Sequence, residues 1–234
     1  MPIFEKPPLE TLTPAKDRWT PIYLEHGRLE VDDSSIKWIG AECLRFYAFG
    51  ITPNHTNDMP RKHAALWADK KKRAEIARRM FALRFGGVEV QAHSIAELRG
   101  MEGLRVRTKY AELGQLFGVT WKGRDYDPSS WNLADNINRA LSAANASLYA
   151  VCAAVCCSLG YLPALGFIHD SGTLPFIYDV ADLYKESTSF PAAFQAIHQQ
   201  PMDNGDLTRA LLKERIEQGK LLQRIPKDLE ALIQ

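Results

Sequence analysis

Residues 169–182 read HDSGTLPFIYDVAD, a turn between two apolar runs that carries three potential metal ligands. His169 ends the first run, a Ser-Gly pair makes the turn, and the second run ends with Asp179 and Asp182. If residues 178–184 begin a helix, the i,i+3 spacing places both carboxylates on one face, near the amino end. One imidazole and two carboxylates then converge from two sides of a turn, a donor set that suits Mg²⁺ or Mn²⁺.

The same three residues also have an interpretation without a metal. Asp179 could be a residue of the first helical turn that the macrodipole favours, and Asp182 a solvated residue on the helix surface. A histidine that follows an apolar run is commonly a hydrogen-bonded residue at the edge of a core. Spacing alone therefore leaves both interpretations open.

Composition places the chain among ordinary globular proteins. It has 234 residues, of which 46% are apolar and 24% charged, enough for one large domain or two modest ones. A formal charge of +1 excludes a uniformly basic coat for nucleic acid but allows local basic patches. The basic residues do cluster, in two sets: Lys70, Lys71, Lys72, Arg73, Arg78, Arg79 and Arg84, then Arg99, Arg105, Arg107 and Lys109.

Cysteine usage and apolar patterning predict a cytoplasmic protein with no membrane span. The four cysteines form no Cys-x-x-Cys pair, and three of them (Cys152, Cys156 and Cys157) lie in an Ala-rich run where free cysteine behaves as a small hydrophobe. The amino terminus lacks the apolar core of a signal peptide. The apolar run 146–167 is broken by Gly160 and a following proline, which favours a buried helix that ends at Gly160 over a membrane span.

The pattern of apolar residues predicts an α+β fold that is mainly α. A small N-terminal β-sheet or sandwich domain spans residues 1–50, a turn-rich linker spans 51–60, and an α-helical catalytic domain spans 61–234. The four β-like runs are Trp19–Leu24, Leu29–Val31, Ile36–Ile39 and Leu44–Phe49.

Start and stop signals divide the helical part. Gly86 ends a first helix, Ser94 and Glu97 form a capping box that opens a second helix or broken pair, and Pro226 interrupts the last one. The predicted segments are residues 61–85, 94–117, 132–159 and 207–233.

Glu102 lies between two glycines inside the second of these segments. Each glycine costs a helix interior about 1 kcal/mol relative to alanine. Gly100 and Gly103 also remove side chains on either side of the carboxylate, which lets another backbone or a ligand approach closely. A simple surface ion pair with a neighbouring arginine is the alternative, but such a pair does not require the flanking glycines.

Several short motifs together resemble one family. They are LRGMEG at 98–103 with VR at 106–107, GVTW at 118–121, RDYDP at 124–128, GFIH at 166–169 and YDVAD at 178–182. In this order and context they resemble the CRISPR-associated integrase, the first protein of the CRISPR-associated series, in the form found in type I-E systems. The resemblance covers the chain from residue 70 to about 233.

The resemblance implies a metal-dependent DNA endonuclease and integrase of CRISPR adaptation. Such proteins join the 3′-OH ends of a spacer to the CRISPR repeat by transesterification. They pair into homodimers through the β domain and assemble with a companion adaptation protein, the second of the series, on spacer precursor and repeat DNA. Carried over by motif, the metal ligands for Mg²⁺ or Mn²⁺ are Glu102, His169 and Asp182.

The remaining site residues implied by the resemblance surround those ligands. Asp179 lies beside the metal, and Tyr126 and Tyr149 lie near the scissile strand with Trp131 in the same pocket. The residues that contact phosphates or support the site are Arg99, Arg107, Arg124 and Lys185.

The chain departs from the family at its amino end. A family-type sandwich needs about 80 residues, whereas the long helices begin after about 50 residues here, and the missing part falls near Ile36-Lys37. A shortened β domain puts dimerisation in doubt. The alternative function is therefore a non-catalytic DNA-binding or scaffold subunit of the adaptation complex.

Overall fold

The computed structural model describes residues 20–24, 27–31, 35–40, 44–49, 58–86, 90–124, 135–203 and 205–233. The chain divides into two compact units, residues 1–56 and 57–234. The predicted division into domains stays a prediction, because residues 50–57, which make up most of the predicted linker, lie outside the described ones.

In the first unit four strands form one antiparallel sheet in chain order. The strands are β1 (Thr20–Leu24), β2 (Gly27–Val31), β3 (Ser35–Gly40) and β4 (Leu44–Phe49). The register between β3 and β4 shifts between Ile36 and Lys37, since Ile36 pairs with Ala48 and Lys37 with Phe46. One residue of β4 is thus left over at this point, as in a β-bulge.

The described residues of the second unit are mainly helical, which confirms the prediction of a mainly helical chain. Its helices are α1 (Asp58–Ala68), α2 (Lys70–Phe85), α3 (Ile95–Phe117), α4 (Asn136–Ser158), α5 (Pro175–Asp182), α6 (Ser189–Gln199), α7 (Asp206–Gln218) and α8 (Leu221–Leu232). Helix α3 begins with the predicted capping box of Ser94 and Glu97.

The prediction of a single helix over residues 61–85 is wrong. Helix α1 ends at Ala68, and Asp69 adopts an extended conformation with φ −80° and ψ 108°. Its carboxylate accepts the N–H groups of Lys71 and Lys72 at 2.9 and 3.1 Å, so it caps a new helix. Because this cap pairs N–H groups that would otherwise lack a partner, the break between α1 and α2 costs little free energy.

The break predicted at Pro226 is also misplaced. The chain turns at Gly219 and Lys220, where Lys220 has φ +48°, and Pro226 lies inside α8. Leu221, Ile225 and Leu229 are buried along one face of α8, so packing holds the helix together despite the N–H that proline lacks.

Helix α4 forms the centre of the helical unit. It is long and apolar enough to cross a membrane by length and composition. However, one face of the helix, from Leu141 and Leu148 to Cys152 and Cys156, is buried within the unit, where α4 packs against α5, α6, α7 and α8. The packing explains its apolar composition as that of a core helix, and Gly160 with φ +83° follows its end as predicted.

The short helix α5 is the most completely buried helix among the described residues. Seven of its eight residues are buried, including the carboxylates of Asp179 and Asp182. Charged groups in such an environment need polar partners, and finding those partners locates the candidate site.

Candidate functional site

Three elements bring the candidate metal ligands towards one place. Glu102 comes from the second turn of α3, Asp182 from the last turn of α5, and His169 from the loop that precedes α5. The Nη1 atom of Arg84, from the last turn of α2, donates to the Glu102 carboxylate and lies 3.6 Å from Oδ2 of Asp182. The Arg84 side chain is only 5% exposed, so the two carboxylates share a buried cation.

Asp182 has two further neighbours. The Nζ atom of Lys185 lies 2.6 Å from Oδ1 of Asp182, and the Nε2 atom of His169 lies 4.0 Å from Oδ2. Burial opposes the charged form of Lys185, but the neighbouring carboxylate prevails and raises the pKa of Lys185 above its usual range. Lys185 also lies 4.8 Å from the ring centroid of Tyr149, so Tyr149 is a neighbour of the Lys185–Asp182 pair, while its place near the scissile strand stays a prediction.

Asp179 organises the backbone that carries His169. Its carboxylate is fully buried and accepts the backbone N–H groups of Phe167, Ile168 and His169 at 2.6, 3.0 and 2.9 Å. It also accepts Nδ1–H of His169 at 2.6 Å. Because a carboxylate only accepts, Nδ1 carries the proton, and the lone pair of neutral His169 is on Nε2, towards Asp182. This hydrogen bond raises the pKa of His169.

The electrostatics of Glu102 reflect two opposing influences. Burial raises the pKa of Glu102, and the positive charge of Arg84 acts in the opposite direction. Asp182 adds to the rise because two carboxylates repel each other. Arg84 and Lys185 thus neutralise a pair of acids that this interior would otherwise disfavour.

The donor types fit a hard divalent cation. Glu102 and Asp182 offer carboxylate oxygens, and Nε2 of His169 offers an imidazole lone pair whose direction is fixed by Asp179. In the described ranges no three such side chains stand close enough to ligate one ion, because Arg84 lies between the two carboxylates. A metal would compete with that guanidinium for the same oxygens.

The glycines beside Glu102 open the site to the outside. A Cβ atom built on Gly100 or on Gly103 meets nothing within 4 Å. Packing within the described part of the chain therefore does not account for them. The space beside the carboxylate remains available to a ligand, one of the two alternatives that the sequence left open.

The predicted phosphate-binding arginines have different surroundings. Arg99 donates to the carbonyl of Ile168 and so supports the His169 loop. Arg124 donates to the Asn138 side chain at 2.8 Å and to Ser142 at 2.9 Å, both on α4. Arg107 is exposed on α3. Tyr126 and Trp131 lie outside the described residues.

Two residues at the site escaped the sequence analysis. Arg84 carried no local signal, since it is one of many basic residues on α2. Tyr178 is part of the YDVAD motif, but the sequence analysis gave it no role; its ring centroid lies 6.1 Å from that of His169 and 5.0 Å from that of Tyr149. The position of Tyr178 directly before Asp179 was the sequence feature that could have indicated its place at the site.

Comparison with known proteins gives consistent matches. The family model described as "CRISPR associated protein Cas1" matches residues 87–218. A Chlorobaculum tepidum protein named CRISPR-associated endonuclease Cas1 2 is 34% identical, with 96% of this chain and 90% of that protein covered. The Escherichia coli K12 protein named CRISPR-associated endonuclease Cas1 is 38% identical over 80% of this chain and 62% of its own length.

Solved structures show the same similarity. The crystal structure of a TtCas1–DNA complex superposes with a TM-score of 0.74 at 39% identity, covering 85% of this chain and 71% of that one. A casposase bound to an integration product shares the fold, with a TM-score of 0.57 at 16% identity over 74% of this chain and 64% of that one.

Removing the shared cation should destabilise the fold in a pH-dependent way. We expect Arg84→Met to lower the free energy of unfolding by about 3 kcal/mol at pH 7.5, because two buried carboxylates lose their partner. Glu102 then binds a proton more readily when folded than when unfolded, since its folded pKa is raised further. The loss should therefore shrink as the pH falls towards about 4.5.

Urea unfolding of Arg84→Met at pH 7.5 and pH 5 measures this effect. Arg105→Met is the matched control, since Arg105 forms a more exposed pair with Glu186 at 2.8 Å and should cost about 1 kcal/mol or less. An equal loss at both pH values would contradict the assignment of Arg84.

Replacing the central acceptor should alter both stability and the histidine. Asp179→Asn presents an N–H₂ group to several N–H donors, and we expect a loss of about 2–3 kcal/mol from unsatisfied buried groups. The pKa of His169 should fall. In the wild type, the raised folded pKa of His169 contributes stability that is fully present below about pH 6.5 and is lost as the pH rises through that folded pKa. The substitution should therefore lower the free energy of unfolding more at pH 5.5 than at pH 8.

NMR titration of His169 and urea unfolding at the two pH values measure both effects. Asp170→Asn, at the exposed neighbour of His169, serves as the control and should change neither quantity appreciably. A His169 titration that is unchanged in Asp179→Asn would contradict the described hydrogen bond.

Proposed function

The chain belongs to the Cas1 family of CRISPR-associated proteins, and we propose on that premise that it is a metal-dependent DNA endonuclease and integrase of CRISPR adaptation. The observation that carries the proposal is that Arg84 links the carboxylates of Glu102 and Asp182, and that Nε2 of His169 lies 4.0 Å from Asp182, although the three residues come from separate parts of the sequence. Relatives that are named CRISPR-associated endonucleases support the nuclease class. A relative's complex with DNA supports DNA as the partner.

The reaction that we propose is a transesterification without a protein nucleophile. The 3′-hydroxyl oxygen of a spacer end attacks a phosphodiester of the repeat, a new P–O bond forms, and the bond to the 3′ oxygen of the cut strand breaks. Glu102, His169 and Asp182 would hold Mg²⁺ or Mn²⁺. When bound, the ion supplies Lewis-acid polarisation of the phosphoryl oxygen and lowers the pKa of the attacking hydroxyl.

The chain's own residues have distinct parts in this proposal. Asp179 orients the imidazole and fixes the nitrogen that faces Asp182. Lys185 lies beside both Asp182 and Tyr149 and can stabilise negative charge on a phosphate next to the metal. The open flanks of Glu102 allow a DNA strand to approach the carboxylate closely.

The finer features of the proposal come from the motif resemblance. We propose a cytoplasmic protein of the type I-E form that pairs into homodimers and assembles with the companion adaptation protein. A shortened β domain is supported by the alignment with the Chlorobaculum relative, which runs over 269 positions although this chain has only 234 residues. The shift in register at Ile36 and Lys37 falls where the sequence predicts the missing part.

The alternative of a non-catalytic scaffold is not favoured. A scaffold that only docks DNA has no use for two buried carboxylates that require a buried arginine to neutralise them. It would equally have no need of a fully buried acid that fixes the tautomer of a histidine.

Loss of one carboxylate charge tests the proposal. We expect Glu102→Gln to lower the rate of strand transfer from a 3′-OH oligonucleotide into a supercoiled target by about 10²-fold or more. The affinity for DNA should stay within about threefold, because removal of a negative charge leaves the phosphate contacts intact. The assay uses the full chain with the companion protein and Mn²⁺.

Glu112→Gln is the matched control, because Glu112 lies on the same helix as Glu102 and pairs with Lys109 at the surface. It should retain wild-type rates. Wild-type protein that binds DNA but transfers no strand with Mn²⁺ would instead favour the scaffold function.

A further inference from the structure

The loop that carries His169 is held by side chains from the first three helices. The carbonyl oxygens of residues 165–168 each accept a hydrogen bond from a side chain that is far away in sequence. The donors, in the order of the carbonyls, are His63, Trp67, Arg73 and Arg99. On the other side of the loop, Asp179 accepts the N–H groups of residues 167–169.

His63 of α1 holds the beginning of this loop. Its Nε2 atom lies 2.9 Å from the carbonyl oxygen of Leu165, and the N–H of Leu162 donates to its Nδ1 at 3.1 Å. The ring is fully buried, with its centroid 5.1 Å from that of Phe167 and 4.5 Å from that of Phe176. Burial lowers the pKa of His63 to about 4, so the neutral ring donates from Nε2 and accepts at Nδ1.

Trp67 holds the next carbonyl, one turn further along α1. Its indole Nε1–H donates to the carbonyl of Gly166 at 3.0 Å. Gly166 lies in a close turn, where a Cβ atom would clash with the carbonyl oxygen of His169 and lie 2.7 Å from Cβ of Pro175. The indole therefore holds the chain at the point where the loop folds back on itself.

The position of His169 depends on these bonds more than on packing. Its side chain is 40% exposed, so neighbouring side chains do not enclose it. The loop also belongs to no helix or strand, so side chains supply the partners of its buried backbone. A displacement of residues 165–168 would carry the imidazole with it, since His169 follows directly.

We propose that His63 and Trp67 of α1 are positioning residues that set the place of His169, and that α1 is thereby part of the catalytic apparatus. The inference rests on the proposed function for its consequence in catalysis, whereas the geometry concerns the loop alone. Outer partners that orient a metal ligand typically change metal affinity or activity by about 10–100-fold when they are lost.

Helix α1 lies outside the sequence motifs that identify the family. It is the first helix after the segment that joins the two units of the chain. No residue of α1 belongs to the motifs that identify the family, since these begin at residue 98. The loop that carries the candidate histidine is thus held by an element outside those motifs.

Removal of one donor tests the proposal. Trp67→Phe keeps an aromatic ring but loses the indole N–H together with part of the ring that faces Arg73. We expect a kcat about tenfold lower, a KM for DNA within about twofold and a weaker Mn²⁺ affinity by about tenfold, together with a shifted Cε1–Hε1 signal of His169 in the NMR spectrum. Trp121→Phe is the matched control, because Trp121 packs on Tyr110 and Phe194 and donates no bond to the loop.

A pair of substitutions at His63 provides a second measurement. His63→Gln keeps a donor near the place of Nε2, whereas His63→Leu removes both the donor and the acceptor. The leucine variant should show the larger change in the His169 signal and in kcat. The thermal unfolding midpoint of each variant is measured to confirm that it is folded under the assay conditions. Equal defects in both variants would speak for a loss of packing and would overturn the role proposed for the hydrogen bond.

The outcomes separate this inference from the proposed function. An unchanged His169 signal and an unchanged kcat in Trp67→Phe would overturn the positioning role. A shifted His169 signal in a protein whose wild type transfers no strand would support the positioning role and contradict the integrase function. A shift that also appears in Trp121→Phe would overturn the specific role of the α1 donor.

Discussion

The carboxylate of Asp179 is the group on which the candidate site depends. It is fully buried and accepts four N–H groups, three from consecutive backbone positions and one from the imidazole of His169. The same acid therefore fixes the course of the loop and the tautomer of the histidine at its end. Hydrogen bonds to a charged, buried acceptor are strong enough to determine the conformation of a segment that belongs to no regular element.

Charge balance is the second constraint. Glu102 and Asp182 would repel each other in a buried site, and Arg84 and Lys185 compensate for both. Arg84 and Glu102 come from α2 and α3, Asp182 comes from the last turn of α5, and Lys185 comes from the turn that follows α5. The compensation allows the chain to fold with acids in place that a divalent cation can use, since a hard cation prefers the same oxygen atoms.

Support of the His169 loop and access to the site depend on different features. Side chains of α1, α2 and α3 and the carboxylate of Asp179 hold the backbone of the loop, while the positions of Gly100 and Gly103 beside Glu102 face open space. A rigid support together with an unobstructed approach is what a reaction on a long polymer requires. The loss of helix propensity at the two glycines is consistent with this use of the surface.

The sequence by itself determined the mainly helical class, the capping box of α3, the end of α4 at Gly160 and the order of Glu102, His169 and Asp182, because local propensity, capping and motif order are properties of neighbouring residues. It misplaced two helix boundaries, since a cap at Asp69 and the packing around Pro226 outweighed the apolar pattern. Only the tertiary structure placed Arg84 between two acids, turned Arg99 towards a carbonyl and assigned His63 and Trp67 to the His169 loop. These contacts join residues 18 to 102 positions apart in sequence, and no local pattern specifies which buried donor meets which acceptor.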